Sequence, residues 1–348
     1  MADYTTIDNP TKHFNTVLYT GNGSTAHAIT GVGFQPDWVW CKARSITKDH
    51  LLFDINRGVT NALKTNASLA VDTNSEFLQA FGTDGFTVGN QGKINTSSAT
   101  YVSWNWLGAN GTASNSNGSI TSTVSANQTA GLSIVTYTGN GTAGATVGHG
   151  LGSVPKMIIV KVRNTSNSWV VYHTSLGATK FIEMNSTGAV QTNSTRFNDT
   201  EPTSSVFSLG SAAGVNTNSD THVAYCFAEK QGYSKFGKWT GTGQSSGPFI
   251  YTGFRPAFLS WKMSSSTENW YINDNKREPY NDDSMTVLYP NLNNADGALN
   301  DEIDLLANGF KINGTNSAHN TDGATYIYWA FAEHPLVTAG TKAAGTAR

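Results

Sequence analysis

The sequence predicts an all-β protein made of three tandem antiparallel β-sandwich domains, jelly-roll-like and related by an internal repeat. Charged residues make up only 13% of the 348 residues, against about 25% in an ordinary soluble domain. Thr, Asn, Ser and Gly supply the polarity instead, which suits short strands and turns. Short apolar runs bounded by turn residues have the pattern of buried strands. One unit of about 100 residues, the size of a small domain, occurs three times.

Each copy of the repeat begins with a similar pentapeptide, Tyr-Thr-Gly-Asn-Gly at 19–23 and 137–141 and Trp-Thr-Gly-Thr-Gly at 239–243. A Gly-x-x-Pro turn and an apolar run follow, and each run ends in a lysine six residues after the proline. The prolines and lysines are Pro36 and Lys42, Pro155 and Lys161, and Pro256 and Lys262. An aromatic strand closes each copy, at 101–106, 222–227 and 326–331. Matches at several places with steady spacing indicate three copies of one fold.

These landmarks divide the chain into six segments. They are an N-terminal anchor segment (1–13), β-sandwich repeat 1 (14–109), a Gly/Ser/Asn/Thr linker (110–130), repeat 2 (131–232), repeat 3 (233–336) and a C-terminal tail (337–348). Asn-Gly pairs such as Asn140-Gly141 are typical of hairpin turns. A single short helix is predicted, around 301–306.

Charge and hydropathy exclude several classes of partner. The net charge is −2 and no Lys/Arg cluster occurs, so we expect no nucleic-acid partner. No apolar run reaches the roughly 18 to 20 residues that span a bilayer, so we expect no membrane insertion. The N-terminus carries no secretory signal pattern. Cys41 and Cys226 could pair in principle, but both lie in strand-like segments typical of buried thiols.

Catalytic motifs of real specificity are missing, and we predict neither an enzyme nor a cofactor. A glycosidase needs two carboxylates beside the sugar. Asp54 and Asp274 occupy equivalent positions in the repeat, but His173 takes that position in the second copy. A carboxylate pair within one copy, such as Asp274 with Asp301 or Glu302, stays open. Otherwise these groups accept turn hydrogen bonds.

Metal binding is equally weakly indicated. The eight histidines have no spacing of two or four residues between them, so we predict no metal site within one chain. A histidine-lined metal on the axis of a trimer stays open. The stretch 281–283, Asn-Asp-Asp, lacks the alternating oxygen ligands of a calcium loop and is better explained as a solvated turn.

Tryptophans give the candidate ligand site. Most occupy equivalent strand positions and are expected to pack in cores, but Trp169 and Trp270 each follow a polar loop, where binding residues collect. Stacking of a sugar on these rings is the functional alternative. With their strand neighbours they make a candidate set of five residues: Trp169, Tyr172, His173, Trp270 and Asp274. The repeated lysines are expected to protect strand edges.

The repeat resembles a domain of uncharacterised function in virion structural and tail-fibre-like proteins of tailed bacteriophages, especially marine, cyanobacterial ones. The resemblance is carried by the Tyr-Thr-Gly-Asn-Gly openings, the Gly-Phe-x-Pro runs and the endings at 223–229 and 326–335. It covers about residues 14–335. Repeat 1 departs from it most, because it lacks the Ala-Glu ending.

This resemblance implies a virion component assembled in the bacterial cytoplasm, with other tail or capsid proteins as partners. The leading hypothesis is a tail fibre or appendage component whose domains attach to host-surface glycans as a homotrimer. A capsid decoration or cement protein is the second hypothesis. A tailspike-like glycan hydrolase is the third, and it requires an acidic groove.

Overall fold

The computed structural model describes residues 4–281, 284–300 and 303–337. Their regular structure is almost entirely β-strand, arranged in seven sheets whose paired strands run antiparallel. The all-β class predicted from the sequence is confirmed. Four short helical turns lie among the described residues, namely a 3-10 helix at Pro10–Lys12, α1 at Ser194–Phe197, α2 at Ala213–Asn216 and α3 at Ser317–Asn320.

The first sheet lies in the N-terminal third of the chain. Its strands are β1 (Phe14–Thr20), β3 (Trp38–Ala43), β4 (Leu51–Asp54), β5 (Gly58–Leu63), β6 (Asp72–Thr73) and β9 (Thr100–Trp106). They pair in the order β1-β9-β3-β4-β5-β6. A companion sheet of β2 (His27–Thr30), β7 (Leu78–Gly82) and β8 (Gly85–Val88) has the order β2-β8-β7.

The second sheet is the largest of the seven. Its strands are β10 (Ala113–Asn115), β11 (Ser122–Asn127), β12 (Leu132–Thr138), β14 (Pro155–Val162), β15 (Val170–His173), β16 (Lys180–Glu183), β17 (Gln191–Thr192) and β19 (Thr221–Ala228). Their order is β10-β11-β12-β19-β14-β15-β16-β17. Its companion consists of β13 (Ala145–Gly148) and β18 (Val206–Leu209).

The third sheet contains β20 (Ser234–Thr240), β22 (Phe254–Met263), β23 (Trp270–Asp274) and β28 (Thr325–Pro335). These strands pair in the order β20-β28-β22-β23. Its companion is formed by β21 (Ser246–Tyr251), β26 (Ile303–Leu306) and β27 (Gly309–Asn313), in the order β21-β27-β26. A further pair is β24 (Ser284–Val287) with β25 (Gly297–Asn300).

One strand order occurs in all three sheets. In each sheet, the closing aromatic strand lies beside the apolar run that follows the Gly-x-x-Pro turn. The three matching orders are β1-β9-β3-β4, β12-β19-β14-β15 and β20-β28-β22-β23. The register is also shared: Trp38 lies opposite Trp106, Met157 opposite Phe227, and Phe258 opposite Phe331. Equivalent sequence positions therefore have equivalent places in the three sheets.

The central strands are buried on both faces. All six residues of β3 are buried, because Val39 and Cys41 face the companion sheet while Trp38 and Trp40 face away from it. Sandwich-like packing against a companion sheet also occurs in the second and third sheets. This two-sided burial explains why the strands are continuous apolar runs instead of alternating polar and apolar residues.

The outward faces of the three sheets meet in one shared core. Its apolar cluster draws on all three sheets. The Trp38 ring lies 4.2 Å from that of Trp106 in its own sheet and 4.6 Å from that of Tyr225 in the second sheet. Trp106 in turn stacks 6.2 Å from Trp329 of the third sheet. The three sheets thus surround a common aromatic centre.

Three lines of contact, which we call seams, join the sheets into a closed ring. At the seam between the first and second sheets, Val71 N donates to Arg163 O at 2.8 Å; between the second and third, Val190 N donates to Ser264 O at 2.9 Å. Between the third and first, Asp296 N donates to Arg44 O at 2.7 Å. The acceptors Arg44, Arg163 and Ser264 all lie eight residues after their prolines. The ring therefore has pseudo-threefold symmetry within one chain.

The repeated pentapeptide is held by a buried asparagine in each copy. In the second copy, Asn216 Oδ1 accepts from Asn140 N at 2.9 Å, and Asn216 Nδ2 donates to Thr142 O and Gly210 O, both at 2.9 Å. Asn95 and Asn320 make the matching bonds in the other copies. A Cβ on Gly139 would lie 2.3 Å from Thr217 O, so this position requires glycine.

Some expectations differ from the structure. Part of the stretch 110–130, expected as a linker, forms β10 and β11, which extend the second sheet because β11 pairs with β12 and β10 pairs with β11. The helix predicted around 301–306 is wrong for Ile303–Leu306, which pairs with β27 as a strand because its alternate residues fill the core. Asp301 and Glu302 lie outside the described residues.

The chain ends were predicted as an anchor segment and a tail. From Tyr4 onward, the N-terminal segment packs on the third sheet, and Ile7 joins the shared core. Residues 1–3 and 338–348, and with them nearly all of the predicted tail, lie outside the described residues. Cys41 and Cys226 are both free and buried, as expected.

Candidate functional site

The five candidate ligand residues are all buried. Trp169 and Asp274 have no exposed surface, and Tyr172, His173 and Trp270 expose 2% or less. Each tryptophan lies at a seam: Trp169 Nε1 donates to Lys64 O of the first sheet region at 2.8 Å, and Trp270 Nε1 to Glu183 O of β16 at 2.9 Å. With no ring face open to solvent, sugar stacking on these residues has no support in this geometry.

Asp274 belongs to a buried ion-pair network. Its Oδ2 accepts from Arg277 Nε at 2.7 Å and from Trp104 Nε1 of the first sheet at 3.0 Å. Arg277 also donates to Asp296 Oδ1 at 3.1 Å. Burial disfavours the guanidinium charge, but the carboxylates of Asp274 and Asp296 outweigh this and raise the pKa of Arg277. The network fastens the third sheet to the first.

Asp54 has the same arrangement at the seam between the first and second sheets. Its Oδ2 accepts from Arg57 Nε at 2.6 Å and from Tyr225 OH of the second sheet at 2.7 Å. Both charged side chains are fully buried. Because each carboxylate is enclosed by its own arginine and by an aromatic donor, neither has space for a sugar, and the hydrolase interpretation of these two residues is unsupported.

His173 replaces the aspartate at the remaining seam, and Leu176 replaces the arginine. His173 Nε2 donates to Tyr328 O at 3.0 Å, and Nδ1 accepts from Ser175 N at 3.1 Å. These bonds fit a neutral ring with the proton on Nε2. Burial lowers the pKa of His173 to about 4. The second copy thus closes its seam with a neutral group.

Tyr172 is also structural. Its hydroxyl donates to Glu201, whose other oxygen accepts from Ala178 N at 2.8 Å. The ring itself packs against Phe197 in the core between the second sheet and its companion. The five candidates are therefore divided between the seams and a sandwich interior and do not form one site.

The repeated lysines do not protect strand edges, which corrects the sequence interpretation. Lys42, Lys161 and Lys262 are buried on the central strands β3, β14 and β22. Their amines donate to backbone carbonyls; Lys161, for example, bonds Asn167 O of its own copy at 2.7 Å and Ser68 O across a seam at 2.9 Å. Burial lowers the pKa of each amine to about 8.

The surface offers a different candidate, which we call the tyrosine hollow. It has a volume of about 230 Å³ and is lined by Tyr4, Glu229, Gln231, Ser234, Lys235, Tyr251, Thr252 and Gly253. Tyr251 is 53% exposed, whereas all nine tryptophans of the chain are buried. An exposed aromatic ring beside polar groups is suited to a sugar, whose C–H face packs on the ring while its hydroxyls bond to neighbours.

Polar groups in this hollow are fixed by their own contacts. Tyr4 OH donates to Gly253 O at 2.6 Å and lies 3.3 Å from Tyr251 OH. Burial and the neighbouring Tyr251 hydroxyl raise the pKa of Tyr4. Lys235 Nζ donates to Glu229 Oε1 at 2.7 Å. The hollow thus combines two phenols with one ion pair.

Internal symmetry shows that the fold does not need Tyr251. The register places Tyr251 opposite Gly309, and the equivalent pairs are Thr30 with Gly85 and Gly148 with Val206. Two copies of the same sheet pair form with Thr or Gly at this position. The repeat pattern does not indicate Tyr251, because this residue differs between the copies, whereas the predicted candidates are tryptophans and strand positions that the copies share.

The described part of the chain contains no group of three or more His, Cys, Asp or Glu side chains placed to hold a metal ion. Among the described helices, none has the length and apolarity to cross a bilayer.

Comparison with known proteins places the chain in a family. The model of the domain of unknown function DUF7483 matches residues 9–335, nearly the whole chain. Searches of curated proteins and of solved structures returned no match. The match spans all three sheets and the seams between them. The chain therefore belongs to the DUF7483 family.

Proposed function

We propose that the chain is a bacteriophage virion structural protein, a tail fibre or appendage component of three tandem jelly-roll-like β-sandwich domains that attaches to host-surface glycans. The resemblance of the repeat to tail-fibre-like proteins supports the phage assignment. The exposed Tyr251 in a polar hollow carries the adhesion proposal, because two equivalent copies of the fold do without an aromatic there.

Attachment at this site is non-covalent. The Tyr251 ring packs on the apolar face of one sugar residue, and Gln231, Ser234 and Thr252 lie beside it to bond hydroxyl groups. The volume of about 230 Å³ is below the roughly 300 to 1,000 Å³ of drug-sized pockets. The site is therefore suited to one sugar residue of a longer chain, and its affinity is weak unless many copies bind together.

A glycan array with wild-type protein and two variants tests the proposal. We expect wild type to bind a subset of bacterial surface glycans and Tyr251→Ala to lose that binding. Tyr280→Ala is the matched control, because Tyr280 is 75% exposed and lies outside the hollow. Equal binding by wild type and Tyr251→Ala would refute adhesion through this hollow.

A second function, capsid decoration or cement, is favoured by the pseudo-threefold ring. A closed ring of three similar sheets is suited to a local threefold axis of a capsid lattice. Cryo-electron microscopy of virions separates the two functions, since adhesion requires density at the distal tail and decoration requires density spread over the capsid. The homotrimer predicted from the sequence stays a separate proposal, tested by the mass in solution relative to the 37.2 kDa chain.

A further inference from the structure

A second surface hollow has a composition unlike the first. It has a volume of about 210 Å³, and we call it the threonine hollow. It is lined by Thr121, Ser122, Thr123, Thr136, Tyr137, Thr138, Arg163 and Thr221. Hydroxyl groups dominate, and Arg163 supplies a cation. The threonines of β12 lie on the face that carries Ile134 into the shared core, so the hollow lies where that core ends.

Arg163 differs from its equivalent in the first sheet. Arg44 Nε donates to Asp296 Oδ2 at 2.8 Å across its seam, where Asp296 N also donates to Arg44 O. At the matching seam, Arg163 O accepts from Val71 N. Valine therefore stands where the carboxylate stands at the other seam, and Arg163 lacks that counter-ion.

The guanidinium of Arg163 is incompletely satisfied. Its Nε is buried and has no hydrogen-bond partner within the part of the chain that the structure describes. Burial lowers the pKa of Arg163, and the nearby Arg57 adds to that effect more than Asp54 opposes it. Asp54 is already bonded to Arg57 and Tyr225. An arginine guanidinium stays charged at neutral pH, so the half-buried Arg163 is a cation without the counter-ion that Arg44 has at its own seam.

We propose that the threonine hollow binds the carboxylate of an acidic saccharide, with Arg163 as its counter-ion and the surrounding threonine hydroxyls as partners for the sugar hydroxyls. A planar guanidinium matches the two oxygens of a carboxylate. The hydroxyl-rich wall distinguishes this site from one for a bare ion, since a sugar acid presents hydroxyls beside its charge. This inference does not depend on glycan binding at the tyrosine hollow.

The test uses the full chain and titrates it with oligogalacturonate, with the neutral galactose oligomer and with sodium sulfate, followed by calorimetry and amide chemical shifts. We expect the acidic oligomer to bind and to shift the amides of Thr136, Thr138 and Thr221. Arg163→Gln is expected to weaken that binding by about 10- to 100-fold, the range of a charge-assisted hydrogen bond. Arg163→Lys keeps the positive charge but loses the planar guanidinium, so its affinity for the acidic oligomer should lie between those of wild type and Arg163→Gln.

Several results would overturn the proposal. One is that Arg163→Gln leaves the affinity for oligogalacturonate unchanged, and another is that the neutral oligomer binds equally well. A third is that sulfate binds as tightly as the sugar acid, which would indicate a site for a bare anion. Tyr280→Ala is the matched control, because this exposed side chain lies outside both hollows and its removal should leave the affinity unchanged. If Arg163→Gln does not fold, the amide shifts of the wild-type protein with oligogalacturonate test the proposal instead. Shifts confined to surfaces other than the threonine hollow would refute the site.

Discussion

Removal of Asp54 tests how the seams hold the ring together. Asp54→Ala deletes the carboxylate that accepts from Arg57 Nε at 2.6 Å, from Tyr225 OH at 2.7 Å and from Arg57 N at 2.9 Å. The Arg57 side chain is fully buried and then keeps only neutral partners. Breaking one partner of a buried ion pair costs about 3 to 5 kcal/mol, and we expect the upper part of that range, about 4 to 5 kcal/mol.

Asp274→Ala is the matched comparison, and we expect a smaller loss. Arg277 keeps the carboxylate of Asp296 at 3.1 Å, which is 18% exposed. The guanidinium is therefore still paired after the substitution, and the cost falls to about 3 kcal/mol, the lower end of the range. The difference between the two variants measures the contribution of the second carboxylate.

Thermal and urea unfolding give both values. For 348 residues, an unfolding entropy of about 2.1 cal/mol/K per residue makes 1 kcal/mol equivalent to about 1.4 °C in Tm. Asp54→Ala should therefore lower Tm by about 6 to 7 °C and Asp274→Ala by about 4 °C. Asp322→Ala, at an exposed acid, is the control and should change the unfolding free energy by less than about 0.5 kcal/mol.

The double variant Asp54→Ala/Arg57→Met removes both charges. Replacing a whole buried pair by apolar groups is often neutral, so we expect it to recover a large part of the loss in a double-mutant cycle. Two results would refute the reasoning: equal losses for Asp54→Ala and Asp274→Ala, or no recovery in the double variant. Either would mean that packing, and not the unpaired charge, determines the cost.

Three further predictions concern acid sensitivity, the loop clamp and cooperativity. His173 has a pKa of about 4 in the folded chain, below the roughly 6.5 of an unfolded histidine. Stability should therefore be full above pH 6.5 and fall as the pH drops toward 4, and His173→Asn should flatten that slope in urea titrations. Asn216→Ala removes the three hydrogen bonds of a buried side chain and should cost about 2 to 4 kcal/mol, whereas a loss below about 1 kcal/mol would contradict the clamp. Residues 131–232 expressed alone should give no dispersed amide spectrum, because the shared core needs all three sheets; a well-dispersed spectrum would show that this segment folds independently.

The sequence was sufficient to predict the class of fold and the equivalence of strand positions. Strand runs such as 38–42 are apolar at every position but the last, and only strands buried on both sides of a sheet require that. The sequence does not show what covers the second face of each sheet. An apolar face is needed whether it packs on another companion sheet or on a neighbouring copy of the repeat. The shared core therefore appears only in the structure.

The candidate residues were ambiguous for the same reason. A tryptophan after a polar loop can be an exposed ring that binds a ligand, or it can donate a hydrogen bond to a carbonyl across a seam. Trp169 has the second role. The lysines gave a similar ambiguity, since a buried amine can bond to neighbouring carbonyls, as Lys42 does with Ala43 O, or to a distant loop, as Lys161 does with Ser68 O. Differences between the copies, as at Tyr251 and Arg163, were the signal that could have directed attention to the surface.

Closure of the ring within one polypeptide has an evolutionary consequence. In an assembly of three identical subunits, every substitution appears three times, so a change that benefits one face also alters the other two. Here the three sectors are encoded separately and can diverge. His173 in place of the aspartate found in the other two copies shows that the copies differ even in the contacts that close the ring, while they share one threefold outline.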